Sequence, residues 1–95
     1  MSEKVLLDLH GASLPFYNYE LGGVSYIEFD ASRCEPPEPM LNAMLGFEHI
    51  AGTDKRLVMI AFHEPTPLYS RIADSFSWDV EVLENSNVKI VFKNR

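Results

Sequence analysis

Twice along this chain an apolar run breaks on a proline-rich turn and resumes as a helical pattern. The first turn is Arg33-Cys34-Glu35-Pro36-Pro37-Glu38-Pro39-Met40 and the second is His63-Glu64-Pro65-Thr66-Pro67. Proline fixes φ near about −65° and has no N–H, so neither stretch continues a strand ladder or sits inside a helix. It is tolerated in the first turn of a helix, where the N–H groups have no intrahelical partner. Each turn therefore marks a strand end and a helix start. Two such units in 95 residues leave room for one sheet, one layer of helices and one core.

The segments around the turns give the rest of the order. Residues 4–9 form a short apolar run closed by His10-Gly11. Residues 17–21 and 24–29 flank Gly22-Gly23, a two-residue hairpin signal. After the first turn, Met40, Leu41, Met44, Leu45 and Phe47 or Glu48 follow helical spacing, which predicts a helix over 37–48. Glu38 in its first turn suits the positive end of the helix dipole. Residues 56–62 are apolar on both faces, as in a central strand. Thr66 is a good N-cap and Pro67 a good first helical residue for a second helix over 67–75. Its stripe is Leu68, Tyr69, Ile72, Ala73 and Phe76. Two alternating runs, 78–83 and 88–93, close the chain as a hairpin, with Lys89 and Lys93 expected opposite Asp79 and Glu81.

The expected fold is a two-layer α/β sandwich. A mixed sheet carries a βαβαββ core over 24–95, with both helices on one face, and residues 1–23 add an N-terminal strand and hairpin arm to the single domain. The core is expected to hold Ile27, Phe29, Leu41, Met44, Leu45, Val58, Ile60, Leu68, Ile72, Trp78 or Val80, and Ile90. Strands 24–29 and 56–62, joined through a helix, are expected to run parallel. The two proline turns then leave neighbouring strands at their carboxyl ends, the edge where open α/β sheets bind ligands.

Charge limits the partners. The chain carries a net charge of −6, and its eight basic residues are spread from Lys4 to Arg95. Such a chain repels phosphate backbones, so no nucleic acid is expected as a partner. No apolar run reaches the length of a membrane span and no secretory leader opens the chain, so no membrane partner is expected. A lone cysteine forms no internal disulfide and fits a reduced, cytoplasmic setting.

The residues of the two turns resemble those of the TusA/SirA-like superfamily of small sulfur-carrier proteins. The matching features are Asp30, then Pro37-Glu38-Pro39-Met40 opening a helix, and the βαβαββ order. The resemblance is strongest to a bacterial branch of unknown function. That branch has a Pro-Pro-Glu-Pro turn, a second turn of the type His-Asp/Glu-Pro-x-Pro-Leu-Tyr, and a following Phe-x-Trp. Here these are Pro36-Pro37-Glu38-Pro39, His63-Glu64-Pro65-Thr66-Pro67-Leu68-Tyr69 and Phe76-Ser77-Trp78. The likeness covers roughly residues 24–95. It implies the sandwich fold and a role around bacterial redox or sulfur metabolism. Carrier members place their cysteine directly before Pro-x-Pro. That position is Pro36 here, and Cys34 stands two residues earlier.

Each candidate has a simpler reading beside the functional one. Cys34 is either a displaced reactive thiol, which needs a lowered pKa, or a small residue packed at a turn. His63 is a ligand contact at the favoured edge or a histidine bonded to local backbone. Glu35, Glu38 and Glu64 are an acid–base set or solvated, dipole-complementing carboxylates. His10, His49, His63 and Cys34 lack metal-ligand spacing, so no metal and no cofactor are expected. No nucleophile–base–orienter set and no phosphate loop is present, which argues against an enzyme. Tyr17, Tyr19 and Tyr26 are a partner surface or ordinary strand residues.

The expected function is therefore a non-catalytic binding or accessory module. Its ligand or partner site comprises Cys34, Glu35, Pro36, Pro37, Glu38, His63, Glu64 and Thr66, and it takes a small molecule or a protein. His63 is expected to line a pocket with the first turn, and His10 and His49 to lie away from it. The alternatives are a sulfur carrier using Cys34 as its persulfide site, and a structural interaction domain pairing as a homodimer through its sheet.

Overall fold

The central element is the strand Arg56–Ala61, whose apolar residues on both faces place it in mid-sheet. In the computed structural model, which describes residues 3–95, the order is β1 (Val5–Leu7), β2 (Phe16–Leu21), β3 (Val24–Asp30), α1 (Glu38–Ile50), β4 (Arg56–Ala61), α2 (Thr66–Ile72), β5 (Phe76–Val82) and β6 (Val88–Asn94). The six strands form one sheet in the order β1-β2-β3-β4-β6-β5. Only β3 and β4 run parallel, with Ile27 beside Leu57 and Asp30 beside Ile60. The remaining pairs are antiparallel. Gly22 and Gly23 both take positive φ, 59° and 78°, as the tight β2–β3 hairpin requires.

Both helices cover the same face. Ile27 and Phe29 of β3, Leu57, Met59 and Ala61 of β4, and Val88, Ile90 and Phe92 of β6 form one buried cluster with Ala43, Phe47, Ile50, Leu68 and Ile72 of the helices. The arm built from residues 3–23 belongs to this core as well. Phe16 is buried and stacks on Phe29 at 4.8 Å between ring centroids. The first two residues of the expected 1–23 arm lie outside the described residues.

The inward face of α1 is rotated from the expected one. Leu41 is 60% exposed, Met44 and Leu45 are half-buried, and the buried residues are Asn42, Ala43, Gly46, Phe47 and Ile50. The reason is distance. A β-carbon at Gly46 would lie 2.7 Å from Leu57 Cδ1, so the helix backbone sits almost on the sheet. Only small residues allow that approach, and the large residues flank the seam. Asn42, the one buried polar residue among those described, then ties the arm down. Its Oδ1 accepts from the backbone N–H groups of Ser13 (3.1 Å) and Leu14 (3.2 Å), and its Nδ2 donates to Ser13 Oγ and to the Glu38 carbonyl, both at 2.9 Å.

Other boundaries also move. The first strand spans three residues, not 4–9. The helix expected over 67–75 is Thr66–Ile72, and Phe76 opens β5 instead of continuing the helical stripe. There it is buried and packs on Phe47 at 4.8 Å between ring centroids. Pro65, not Thr66, is the N-cap, and no side chain caps this helix; Leu68 N–H donates to the Pro65 carbonyl at 2.9 Å instead. Trp78 is half-buried against Tyr69, with ring centroids 4.4 Å apart, while Val80 is 40% exposed. Glu81 faces Lys89 in register, but Asp79 faces Val91 and Ser77 faces Lys93, because the β5–β6 register sets the partners. Among the described residues the single ion pair is Lys4–Glu28 at 2.9 Å.

The helix-free face is closed partly by its own side chains. Val58 is fully buried between Glu28 of β3 and Val91 of β6, and Ile60 is half-buried. Tyr19 and Tyr26 stack at 5.3 Å, and the Tyr19 hydroxyl donates to Glu28 at 2.8 Å. Lys4 lies over the Tyr19 ring, 5.1 Å from its centroid. Tyr17 remains exposed. Among the described residues, no helix is long and apolar enough to cross a membrane.

Candidate functional site

At the end of β3 the chain turns because Asp30 Oδ1 accepts from Ser32 N–H (2.9 Å) and Ser32 Oγ–H (2.6 Å), a local Asx turn. Ala31 still donates its N–H to the Ile60 carbonyl at 2.8 Å, which keeps it in the plane of the sheet beside β4. Residues 34–37 then lead to α1. On the neighbouring strand, β4 ends at Ala61 and residues 62–65 lead to α2. Because β3 and β4 are parallel neighbours, both proline turns leave the same edge.

Between them lies a cleft of about 700 Å³. Ala31, Met59 and Ala61 line it from the sheet, Met40 and Leu68 from the helices. Prolines 36, 37 and 39 line it from the first turn, and prolines 65 and 67 from the second. This is within the ordinary size range of small-molecule sites, roughly 300–1,000 Å³. Prolines contribute no N–H, so the walls are apolar and poor in donors. Phe62, 69% exposed, stands at the rim, with its ring centroid 5.7 Å from that of His63.

Seven of the eight expected site residues line this cleft: Cys34, Glu35, Pro36, Pro37, His63, Glu64 and Thr66. His63 does so with an exposed side chain, and His10 and His49 are not among the lining residues. Glu38 is the exception, for its Oε2 accepts a 2.6 Å hydrogen bond from Ser13 Oγ and holds the arm instead. The sequence pattern missed the apolar contributors Met40, Met59, Phe62 and Leu68. Of these, only the sequence neighbours of the two turns, Met40, Phe62 and Leu68, carried any signal.

The Cys34 thiol and the nearby Tyr69 hydroxyl are both favoured in their protonated forms. The half-buried Cys34 thiol has its pKa raised by desolvation, then by the adjacent Glu38 carboxylate and the charge of Asp30. A raised pKa lowers the thiolate fraction, the opposite of what a persulfide carrier needs. Glu64 accepts from the Tyr69 hydroxyl at 2.9 Å. Desolvation and that carboxylate push the Tyr69 pKa far up. Among the described residues no three His, Cys, Asp or Glu side chains are grouped to hold a metal ion. The arrangement suits reversible contact with an apolar group.

Comparison with known protein families, with curated proteins and with solved structures yields no match to this chain.

Proposed function

We propose that this protein is a non-catalytic TusA-like binding or accessory module, which takes an apolar group of a small molecule or protein partner into the cleft between its two proline turns. The observation that carries this reading is the convergence of both turns on one apolar cleft. A rim phenylalanine 69% exposed to solvent supports it, since large exposed apolar groups beside a hollow favour association. The resemblance at residues 36–39 and 63–69 supports a role around bacterial redox or sulfur metabolism.

The methionines provide the test. Met40 and Met59 line the cleft and Met44 does not. With ¹³C-methyl methionine, a set of small apolar fragments and a candidate protein partner such as a cysteine desulfurase are titrated in turn. A ligand of the cleft moves the Met40 and Met59 methyl signals and leaves Met44 still. Shifts confined to Met44, or none from any probe, would reject the reading.

Cys34 also lines the cleft, which gives the sulfur-carrier alternative its one supporting observation. Incubation with a cysteine desulfurase and cysteine, followed by mass spectrometry, separates the two. The raised thiol pKa leads us to expect an unmodified mass. An adduct of about 32 Da, one sulfur atom, that is lost in Cys34→Ala would instead establish the carrier.

A further inference from the structure

The opposite end of the sheet holds a second hollow with different chemistry. It lies where β3 and β4 begin and β6 ends, and it encloses about 490 Å³. Lys55, Arg56, Lys93 and Arg95 line it, together with Asp54 as the only acidic side chain. Half of the chain's eight basic residues thus meet in one place, in a chain whose net charge is −6. Three strand ends bring them together, so residues far apart in sequence become neighbours.

These cations are not consumed by acids. Among the described residues none of the four has a carboxylate within ion-pair distance. Lys55 Nζ lies 3.5 Å from His49 Nε2, and burial, together with that ammonium, lowers the His49 pKa, which favours the neutral imidazole beside the lysine. Arg95 uses its Nε–H on the Ala73 carbonyl at 2.6 Å and keeps its other donors.

The loop that presents Lys55 and Arg56 is held in place. Asn94 Nδ2 donates to the carbonyls of Ile50 and Thr53, both at 2.8 Å, and its Oδ1 accepts from Gly52 N–H at 3.1 Å. Thr53 Oγ1 donates to the Ile50 carbonyl at 2.7 Å and accepts from Lys55 N–H at 3.1 Å. These bonds also give the Ile50 carbonyl, at the C-terminal end of α1, donors that the helix does not supply. The hollow is therefore both cationic and preorganised.

We propose that this hollow binds a phosphate-bearing small molecule, such as a phosphate monoester or a diphosphate. A multiply charged, compact anion matches several cations in one small space. The planar donor fork of Arg56 fits two phosphate oxygens at once, and lysines serve as point charges. A nucleic acid is disfavoured by the acidic remainder of the surface. The site is separate from the proline cleft and does not depend on the function proposed for it.

The test is ¹⁵N–¹H NMR titration of the full chain with inorganic pyrophosphate, and with citrate as a polyanion without phosphate. The expected result is saturable shifts at residues 53–56 and 93–95, none at Glu35 or His63, and citrate at least tenfold weaker. R56Q/K93Q should weaken pyrophosphate at least tenfold, while K89Q, which removes one positive charge from β6 outside the hollow, should alter it less than twofold. Should the double variant fail to fold, K93Q alone should still weaken binding about threefold. Non-saturable shifts, shifts spread equally over Arg33, Arg71 and Lys89, or equal binding of citrate would each overturn the proposal.

Discussion

Replacing Gly46 with alanine tests how closely α1 lies on the sheet. In an exposed helix interior this change stabilises, since glycine costs about 1 kcal/mol relative to alanine. Here the added methyl would stand 2.7 Å from Leu57 Cδ1, 2.9 Å from Cδ2 and 3.4 Å from Cγ. Leu57 is fully buried, so its branch has no empty space to turn into. Overpacking of this kind costs about 1–3 kcal/mol. The packing penalty exceeds the propensity gain, and Gly46→Ala should destabilise by about 1 kcal/mol, a fall in melting temperature of about 4–8 °C. Leu57→Ala alone should cost about 2–5 kcal/mol. In that background the clash is gone, and Gly46→Ala should change sign and stabilise by up to about 1 kcal/mol. Urea unfolding of the four proteins gives the coupling energy, expected at about 2 kcal/mol. A Gly46→Ala protein more stable than its parent, with no coupling to Leu57, would refute the close approach.

Three further outcomes follow from single residues. Asn42→Leu leaves the Ser13 and Leu14 N–H groups without their acceptor and should cost about 2 kcal/mol in urea unfolding, with amide exchange of those two residues quickening first. Thr66→Ala should leave stability within about 0.5 kcal/mol of the parent, because Thr66 is the first helical residue and makes no capping bond; a loss near the typical ~1 kcal/mol of an N-cap would contradict that. The His49 pKa is lowered in the folded chain by burial and by Lys55, so the unfolded chain binds the extra proton more readily. Its contribution to stability is present above the unfolded value near 6.5 and is lost as the pH falls through the lower folded value. Urea midpoints at pH 7.5, 6.5 and 5.5 should therefore decline, and His49→Asn should flatten that decline; identical slopes in the two proteins would refute the assignment.

Much of the architecture was legible because its signals are local. Proline and glycine restrict backbone angles within one or two residues, so the Gly22-Gly23 hairpin and both strand-to-helix turns could be placed from the chain alone. Alternation in 88–93 and the two-sided apolar run of 56–62 likewise reported a strand with one wet face and a central strand. The parallel pairing of β3 and β4 then followed from a helix lying between them, and with it the shared edge for Cys34, Glu35, His63 and Glu64.

What tertiary structure decided concerns contacts between distant segments. The inward face of α1 depends on how near its backbone comes to Leu57, and close approach selects Ala43 and Gly46 over the larger Leu41. A pattern of large apolar residues carries no information about that distance. Asn42 reads as a solvated helical residue until the arm delivers Ser13 and Leu14 to it. Phe76 looks helical by spacing, yet the rings of Phe47 and Phe92 form an aromatic cluster that draws it into β5. Lys55, Arg56, Lys93 and Arg95 appear scattered in sequence and become one cationic hollow only because β4 and β6 pair antiparallel. Backbone preference acts over a few residues and can be read along the chain, whereas packing distance and charge density arise only when the sheet has closed.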